Sequence, residues 1–422
     1  MSLAALCGAG RVALEGAARA LVLAVFLGGA SGAPSVAADN SRPGDLCAQI
    51  NALAPGGELA LPPGDYAGPC SIRTGGLPGQ PIVVRAKIPG QRPRIVYDGR
   101  RSNVIDVRAD HVTIRGLAFG PTHEDIDGVR VYARDGVIVE DCEFSGLGGI
   151  AVVASHHSNR GLVVRRNIVR LSTATAMYFG CHDGVECVNE ALLVEGNYIH
   201  TVRAPDPQIG YGIQVKLNSW GVIRDNVVMD TKGPGIMVYG SLNPAQLSLV
   251  EGNLVAGSLR SSGIIVGGGP AVVRNNIAVG NALAGVGLED YGRRGLLRGV
   301  VVAHNTLYGN EGAPLAVTSN GTVDAAVVNN ALHARAVGAM VALAGAGLRM
   351  RGNVNCSSVP CFTNPEAHDF SPLPGGPLLG AGVSRGDVWV PAIDFFGVRR
   401  RDPPSAGAVE TSGPPLRPGP KF

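Results

Sequence analysis

One asparagine returns at the same point of a repeated pattern through most of the chain, and that return restricts the fold more than any other feature. Asn167, Asn197, Asn226, Asn253, Asn276, Asn305, Asn330 and Asn353 follow one another at steps of 30, 29, 27, 23, 29, 25 and 23 residues. Leu117 and Cys142 hold the position in the earliest repeats. Valine-rich strands such as Val300 to Val302 lie upstream, and a Gly-Ile type strand returns downstream at Gly128-Val129, Gly149-Ile150, Gly235-Ile236, Gly263-Ile264 and Gly285-Val286. The stretch from Gly212 to Val228 contains the whole plan: Ile213 and Val215 alternate with Gln214 and Lys216, the period-two pattern of a half-buried strand.

A repeat of this length with three short strands is one coil of a parallel β-helix, in which each coil buries its inward side chains only by stacking on its neighbours. The expected fold is therefore all-β, a solenoid of about ten coils. No helix-length apolar period argues for a helical solenoid. An asparagine at the sharp bend is expected to take a left-handed backbone and to offer its amide to the coils above and below. Composition agrees: 45% apolar but only 5% aromatic residues fill a long aliphatic core, and 61 glycines with 29 prolines suit three turns per coil. A formal charge of +3 is too slight to argue for nucleic acid as a partner.

Residues 1–38 read as an export signal. Arg11 and Arg19 precede the apolar run Ala20 to Ala30, and Val36-Ala37-Ala38 supplies small residues before a cleavage point. The run is short for a membrane span, so no stable span is expected after cleavage. Residues 39–80 are read as an N-terminal cap with a short helix over 45–57, residues 81–355 as the β-helix, 356–411 as an irregular C-terminal cap, and 412–422 as a disordered tail. Cysteine spacing agrees with a secreted or periplasmic chain. Three disulfides are expected, Cys47 with Cys70, Cys181 with Cys187 and Cys356 with Cys361, leaving Cys142 a buried thiol.

Several quoted stretches resemble a known superfamily. Pro55-Gly56-Gly57, Leu61 to Tyr66, Pro81 to Ala86 and Val112 to Leu117 are similar to the opening of secreted right-handed parallel β-helix proteins, among them chondroitinase B-like and alginate lyase-like polysaccharide lyases. Asp369-Phe370, Gly380-Ala381-Gly382, Asp394, Gly397, Arg399 and Gly407 to Glu410 resemble the closing segment of bacterial members. The resemblance implies a right-handed coil and an extracytoplasmic protein whose partner is a polysaccharide, lying along the Gly-Ile strand series. The superfamily includes lyases, hydrolases, C5-epimerases and non-catalytic surface proteins, so fold alone does not select a reaction.

Stacking the Gly-Ile strands aligns outward residues in columns. One column reads Tyr132, Val153, Gly180, Lys216, Tyr239, Gly267 and Glu289, and its neighbour Arg130, Ala151, Tyr178, Gln214, Met237 and Ile265. Lys216 is one of only four lysines, with Lys87, Lys232 and Lys421 in loops or the tail. In β-elimination a neutral lysine, tyrosine or histidine removes the proton beside a uronate carboxylate, and a tyrosine protonates the leaving oxygen. Lys216 is the expected base, Tyr239 or Tyr178 the acid and His182 an assisting group, with Gln214, Asn218, Asp183, Arg130 and Glu289 as substrate-binding candidates. The resemblance implies a groove Lys accompanied by an Arg and by Ca²⁺ on Asn and acidic ligands. Lys216 matches by strand position, whereas the Arg and the metal set are not matched residue for residue. Glu124, Asp125 and Asp127 beside His123 are candidate ligands for Ca²⁺, or with Asp183 candidate carboxylates of a glycoside hydrolase. His156-His157 and Arg293, Arg294 and Arg298 are read as turn charges that can meet a sugar acid.

Overall fold

The computed structural model describes residues 45–295, 297–319, 323–335, 341–344, 347–384, 390–417 and 419–421. The expected export signal lies outside them. Among the described residues, three parallel sheets of twelve, twelve and eleven strands run the length of the molecule. Every strand pairs with its equivalents one coil before and after, so the chain winds as a single-stranded solenoid. The first sheet runs from Glu58–Leu61 to Leu348–Arg351, the second from Asp65–Ala67 to Val354–Asn355, and the third from Cys70–Ile72 to Val341–Ala344.

The coil count agrees with the expected value of about ten, and winding includes part of the stretch read as the N-terminal cap. Glu58–Leu61 already pairs in register with Ile82–Ala86, and Cys70–Ile72 with Ile105–Val107. The cap proper is the helix Leu46–Asn51. The Asp45 carboxylate accepts from the Cys47 and Ala48 amides at its start, and Leu46 and Ile50 lie buried against the first coil. Cys47–Cys70 ties it down, and Asn51 Oδ1 accepts from the Arg73 and Thr74 amides. All three expected disulfides are present, and Cys142 is a buried free thiol whose pKa burial pushes up to about 12.

The interior is a set of aliphatic columns. Val84, Ile114, Val139, Val164, Val194, Ile223, Val250, Val273, Val302 and Val327 sit in one continuous register, all buried. At the corner between the first and second sheets the eight marker asparagines form a ladder. Each backbone amide and side-chain Nδ2 donates to Oδ1 of the next asparagine, at 2.8 to 3.0 Å along the whole series from Asn167 to Asn353. The second Nδ2 hydrogen reaches the carbonyl of the preceding coil, as Asn226 does to Val194 and Asn253 to Ile223.

The bend itself differs from expectation. Left-handed backbone is taken by the residue before each ladder asparagine: Arg166 (φ 52), Asp225 (φ 56), Asn275 (φ 53), His304 (φ 52) and Asn329 (φ 57), with Gly196, Gly252 and Gly352 at the others. The preceding residue turns the chain, which leaves each ladder amide pointing inward along the axis. A shorter ladder, Ser258, Asn281 and Asn310, lines the corner between the second and third sheets.

The C-terminal segment does more than close the last coil. It runs back along the outside of the second sheet, where Phe362, Phe370, Phe395, Ala406 and Val409 cover Ile168, Tyr198, Val227, Leu254 and Ile277. A fully buried Arg400–Glu410 pair at 3.2 Å anchors it, and Arg400 also donates to Asn275 Oδ1. The stretch expected to be a free tail follows the same path: Lys421 lies 3.7 Å from the Phe395 ring centroid and donates to Gly252 O. The outward apolar stripe on the second sheet needs this cover, which the strand alternation alone does not announce.

Asn226→Ala strands the amide of Asn197, the carbonyl of Val194 and the Nδ2 of Asn197 in a dry interior. Urea unfolding should register a loss of about 2–4 kcal/mol. Asn353→Ala, at the half-buried end of the ladder, should cost visibly less.

Candidate active site

Outward side chains of the third sheet gather midway along it. Lys216 follows the strand Ile213–Val215, where the chain leaves for the next corner. Its Nζ lies 3.2 Å from His182 Nδ1, 4.0 Å from the Tyr239 ring centroid and 5.7 Å from that of Tyr178. The four residues read from the sequence as the catalytic set therefore meet at one place. Gln214, on the same strand, donates from Nε2 to the Tyr239 hydroxyl at 2.9 Å.

Two tyrosines join that the sequence reading did not assign. Tyr211 closes the loop before the Lys216 strand, and its hydroxyl is 3.3 Å from that of Tyr239. That loop is held by Asp206, which pairs with Lys232 and Arg260. Tyr291 packs edge-on against Tyr239 at 4.3 Å and stands 6.0 Å from Lys216 Nζ. Gly267 makes room for it, since a Cβ there would fall 2.9 Å from Tyr291 Cβ. Four of the nine tyrosines in the chain thus meet here, a concentration that the fold creates from positions far apart in the sequence.

Lys216, expected as a base on an outward strand face, does not lie open to solvent. It is 1% exposed, with the rings of Tyr178, Tyr239 and Tyr291 and the His182 imidazole around its amine. Burial lowers its pKa to about 8, and among the described residues no carboxylate pairs with it. The group at the surface is His182, presented by the Cys181–Cys187 loop. Gly180, at φ 95, passes close under this pair; a Cβ would meet Ser219 Oγ and lie 3.1 Å from Lys216 Cβ. Burial pushes the Tyr178 phenol up to about 12 and raises Tyr239 further, chiefly by burial and then by its contact with Tyr211. Glu289, half-buried at the far rim, is also raised by burial.

Other predicted residues are engaged elsewhere. Asn218 donates to Gly184 O and accepts from Leu242 N, so it fixes the disulfide loop to the following turn. Asp183 accepts from the Val185 and Glu186 amides within its own loop, which lowers its pKa. Arg130 pairs with Asp127, and Asp127, 2% exposed, also accepts from Ile150 N. Glu124 and Asp125 are exposed beside it and do not converge with it on a common point. Among the described residues no group of three or more His, Cys, Asp or Glu side chains is arranged to hold a metal. Around Lys216 the donors are an amine, an imidazole, phenols and an amide, a set unlike the carboxylate and carbonyl oxygens that Ca²⁺ takes.

The column register corrects the sequence reading at one coil. Val153 pairs with both Arg130 and Tyr178, so it replaces Ala151 in that column, and Ser155 replaces Val153 in the Lys216 column. A slip of two residues keeps the same face outward, so alternation cannot detect it.

The family described as "Right handed beta helix region" matches residues 127–332, which include the whole cluster. The fold is a right-handed parallel β-helix. No curated protein matches its sequence. It is similar to solved structures of pectate lyase Pel9A (15% identity, 87% of this chain and 90% of that one, TM-score 0.48) and of an alginate lyase from Paenibacillus sp. str. FPU-7 (15%, 72% and 96%, TM-score 0.48). The A-module of the Azotobacter vinelandii mannuronan C-5 epimerase AlgE4 is a third (15%, 73% and 94%, TM-score 0.36). At these identities and scores the likeness ends at the winding of the chain.

Lys216→Met separates the cost of the buried amine from its use. The folded pKa of about 8 lies below the ordinary 10.5, so the penalty for carrying the proton is full below pH 8 and fades between 8 and 10.5. Thermal melts should find the variant about 1–3 kcal/mol more stable near pH 6, with the gain shrinking above pH 8.

Proposed function

We propose that this chain is an extracytoplasmic carbohydrate-active enzyme that cleaves a uronate-bearing polysaccharide by β-elimination. The reading rests on one observation above the others: an exposed imidazole is hydrogen-bonded to a buried amine whose pKa is near 8, inside a ring of tyrosines. The three disulfides favour an oxidising compartment. Among the described residues no helix is long and apolar enough to cross a membrane.

In this reading His182 touches the substrate and Lys216 sets its tautomer from behind. Neutral Lys216 accepts the Nδ1 hydrogen, leaving the Nε2 lone pair free to take the proton from the carbon beside the uronate carboxylate. The electrons of that C–H bond form the double bond, the C–O bond one carbon away breaks, and the leaving oxygen takes a proton from a phenol. Tyr178 suits that role better than Tyr239, because it is half-buried at the groove while Tyr239 is 3% exposed and bonded to Gln214. The imidazolium then returns its proton through solvent to the phenolate, which closes the cycle. Arg294, exposed with its guanidinium 5.9 Å from the Tyr291 ring centroid, is at hand for the carboxylate. No step is routed through a metal.

The test is ultraviolet absorbance of unsaturated uronate from wild type, Lys216→Met and His182→Ala on alginate, pectin and glycosaminoglycans. Wild-type kcat/KM should rise with pH to a plateau above about 8, as Lys216 loses its proton while Tyr178, near 12, keeps its own. Both variants should lose on the order of 10²-fold or more. Reducing ends without absorbance would replace this reading with hydrolysis, and solvent deuterium at C5 without cleavage would replace it with epimerisation.

A further inference from the structure

A second constellation lies on the same face, outside the cluster just described. A cleft of about 450 Å³ is lined by Arg73, Arg108, Asp110, Tyr132, Arg134 and His157, among others. Its centre is a stack: the Arg108 guanidinium lies 3.9 Å from the Tyr132 ring centroid, and the His156 ring lies parallel to Tyr132 at 5.0 Å. Burial first, then the charge of Arg130, lowers the His156 pKa, so a neutral imidazole stacks there.

The charges are not balanced within the cleft. Asp106 pairs with Arg108, and Asp110 spends one oxygen on the Arg134 and Asp135 backbone amides. Arg73 and Arg134 are exposed, and their guanidinium groups have no carboxylate partner among the described residues. Lining arginines thus outnumber the lining carboxylate three to one.

Register ties this cleft to Lys216. Val107 pairs with Val131, and Val153 with Tyr178, so Arg108, Tyr132, Ser155, Gly180 and Lys216 follow one another in a single outward column. Tyr132 is three coils from Lys216, roughly 14 Å at strand spacing. Ser155 and Gly180 between them are small and leave the floor low.

We infer that the Arg73, Arg108 and Arg134 cleft is a distal subsite for an acidic sugar of the same polysaccharide chain that reaches His182 and Lys216. The inference rests on the acidic-polysaccharide reading of the Lys216 site. It commits the ligand to an extended polyanion, held several sugar units from the bond that breaks. Arg73 and Arg134 act as charge contacts, while the Arg108–Tyr132–His156 stack is a rigid wall.

The test is affinity of the full chain for oligouronates of graded length, cut from alginate and from polygalacturonate, with dextran as the neutral control. Measurements use wild type, Arg73→Ala/Arg134→Ala and Arg73→Lys/Arg134→Lys, all in a Lys216→Met background so that no oligomer is consumed. Affinity should climb once an oligomer spans both sites, and the alanine pair should lose at least tenfold on long oligomers. Short oligomers should bind all three alike, the lysine pair should retain most of the gain, and added salt should abolish it. Long-oligomer affinity unchanged in the alanine pair, or equal retention of dextran, would overturn the inference. Arg-dependent binding without any unsaturated product from the Lys216-containing enzyme would retain the cleft and remove the elimination chemistry; elimination with no Arg dependence would do the reverse.

Discussion

A coil cannot turn a corner without burying peptide groups, and the asparagine ladder is how this chain satisfies them. Each amide side chain binds the coil before it and the coil after it, so the corner is dry and fully bonded. That closure pins the register of neighbouring coils. With register pinned, inward valines and isoleucines stack on their own kind, and outward residues fall into columns that can be followed from one coil to the next. Both the core and the candidate site are consequences of that alignment.

The three outer faces are used differently. On the first sheet, Glu140, fully buried, accepts from Arg115, Arg165 and Arg166, and Glu195 with Arg224 and Glu251 with Arg274 continue the ion pairs along the coils. The second sheet is covered by the returning C-terminal segment. Among the described residues it is on the outward face of the third sheet that Lys216, His182 and four tyrosines gather.

Within that face, chemistry depends on a local patch of low polarity. Met237, Ile265 and Leu217 point away from the main core, yet Tyr211, Tyr239 and Tyr291 close over them. An amine in such surroundings loses water without gaining a counter-charge, which is why Lys216 falls toward neutral pH. The disulfide loop then sets one imidazole over the amine. Glycine stands at 180, where φ is 95 and a Cβ would meet Ser219 Oγ, and at 267, where a Cβ would fall 2.9 Å from Tyr291 Cβ.

Period, strand alternation and cysteine spacing, all local in the chain, sufficed for the coil, the asparagine corner, the three disulfides and the column that unites Lys216 with Tyr239. The ladder asparagine was legible, but the left-handed residue before it was not, since Arg, Asp, His, Asn and Gly share that position with no common side-chain chemistry. Tyr211 and Tyr291 were missed because they enter from loops, whose path depends on contacts such as Asp206 with Lys232 and Arg260, far along the chain. Alternation assigned Lys216 correctly to an outward face. Whether outward meant exposed was decided by tertiary structure, because the rings of Tyr178, Tyr239 and Tyr291 and the His182 imidazole around its amine come from neighbouring coils.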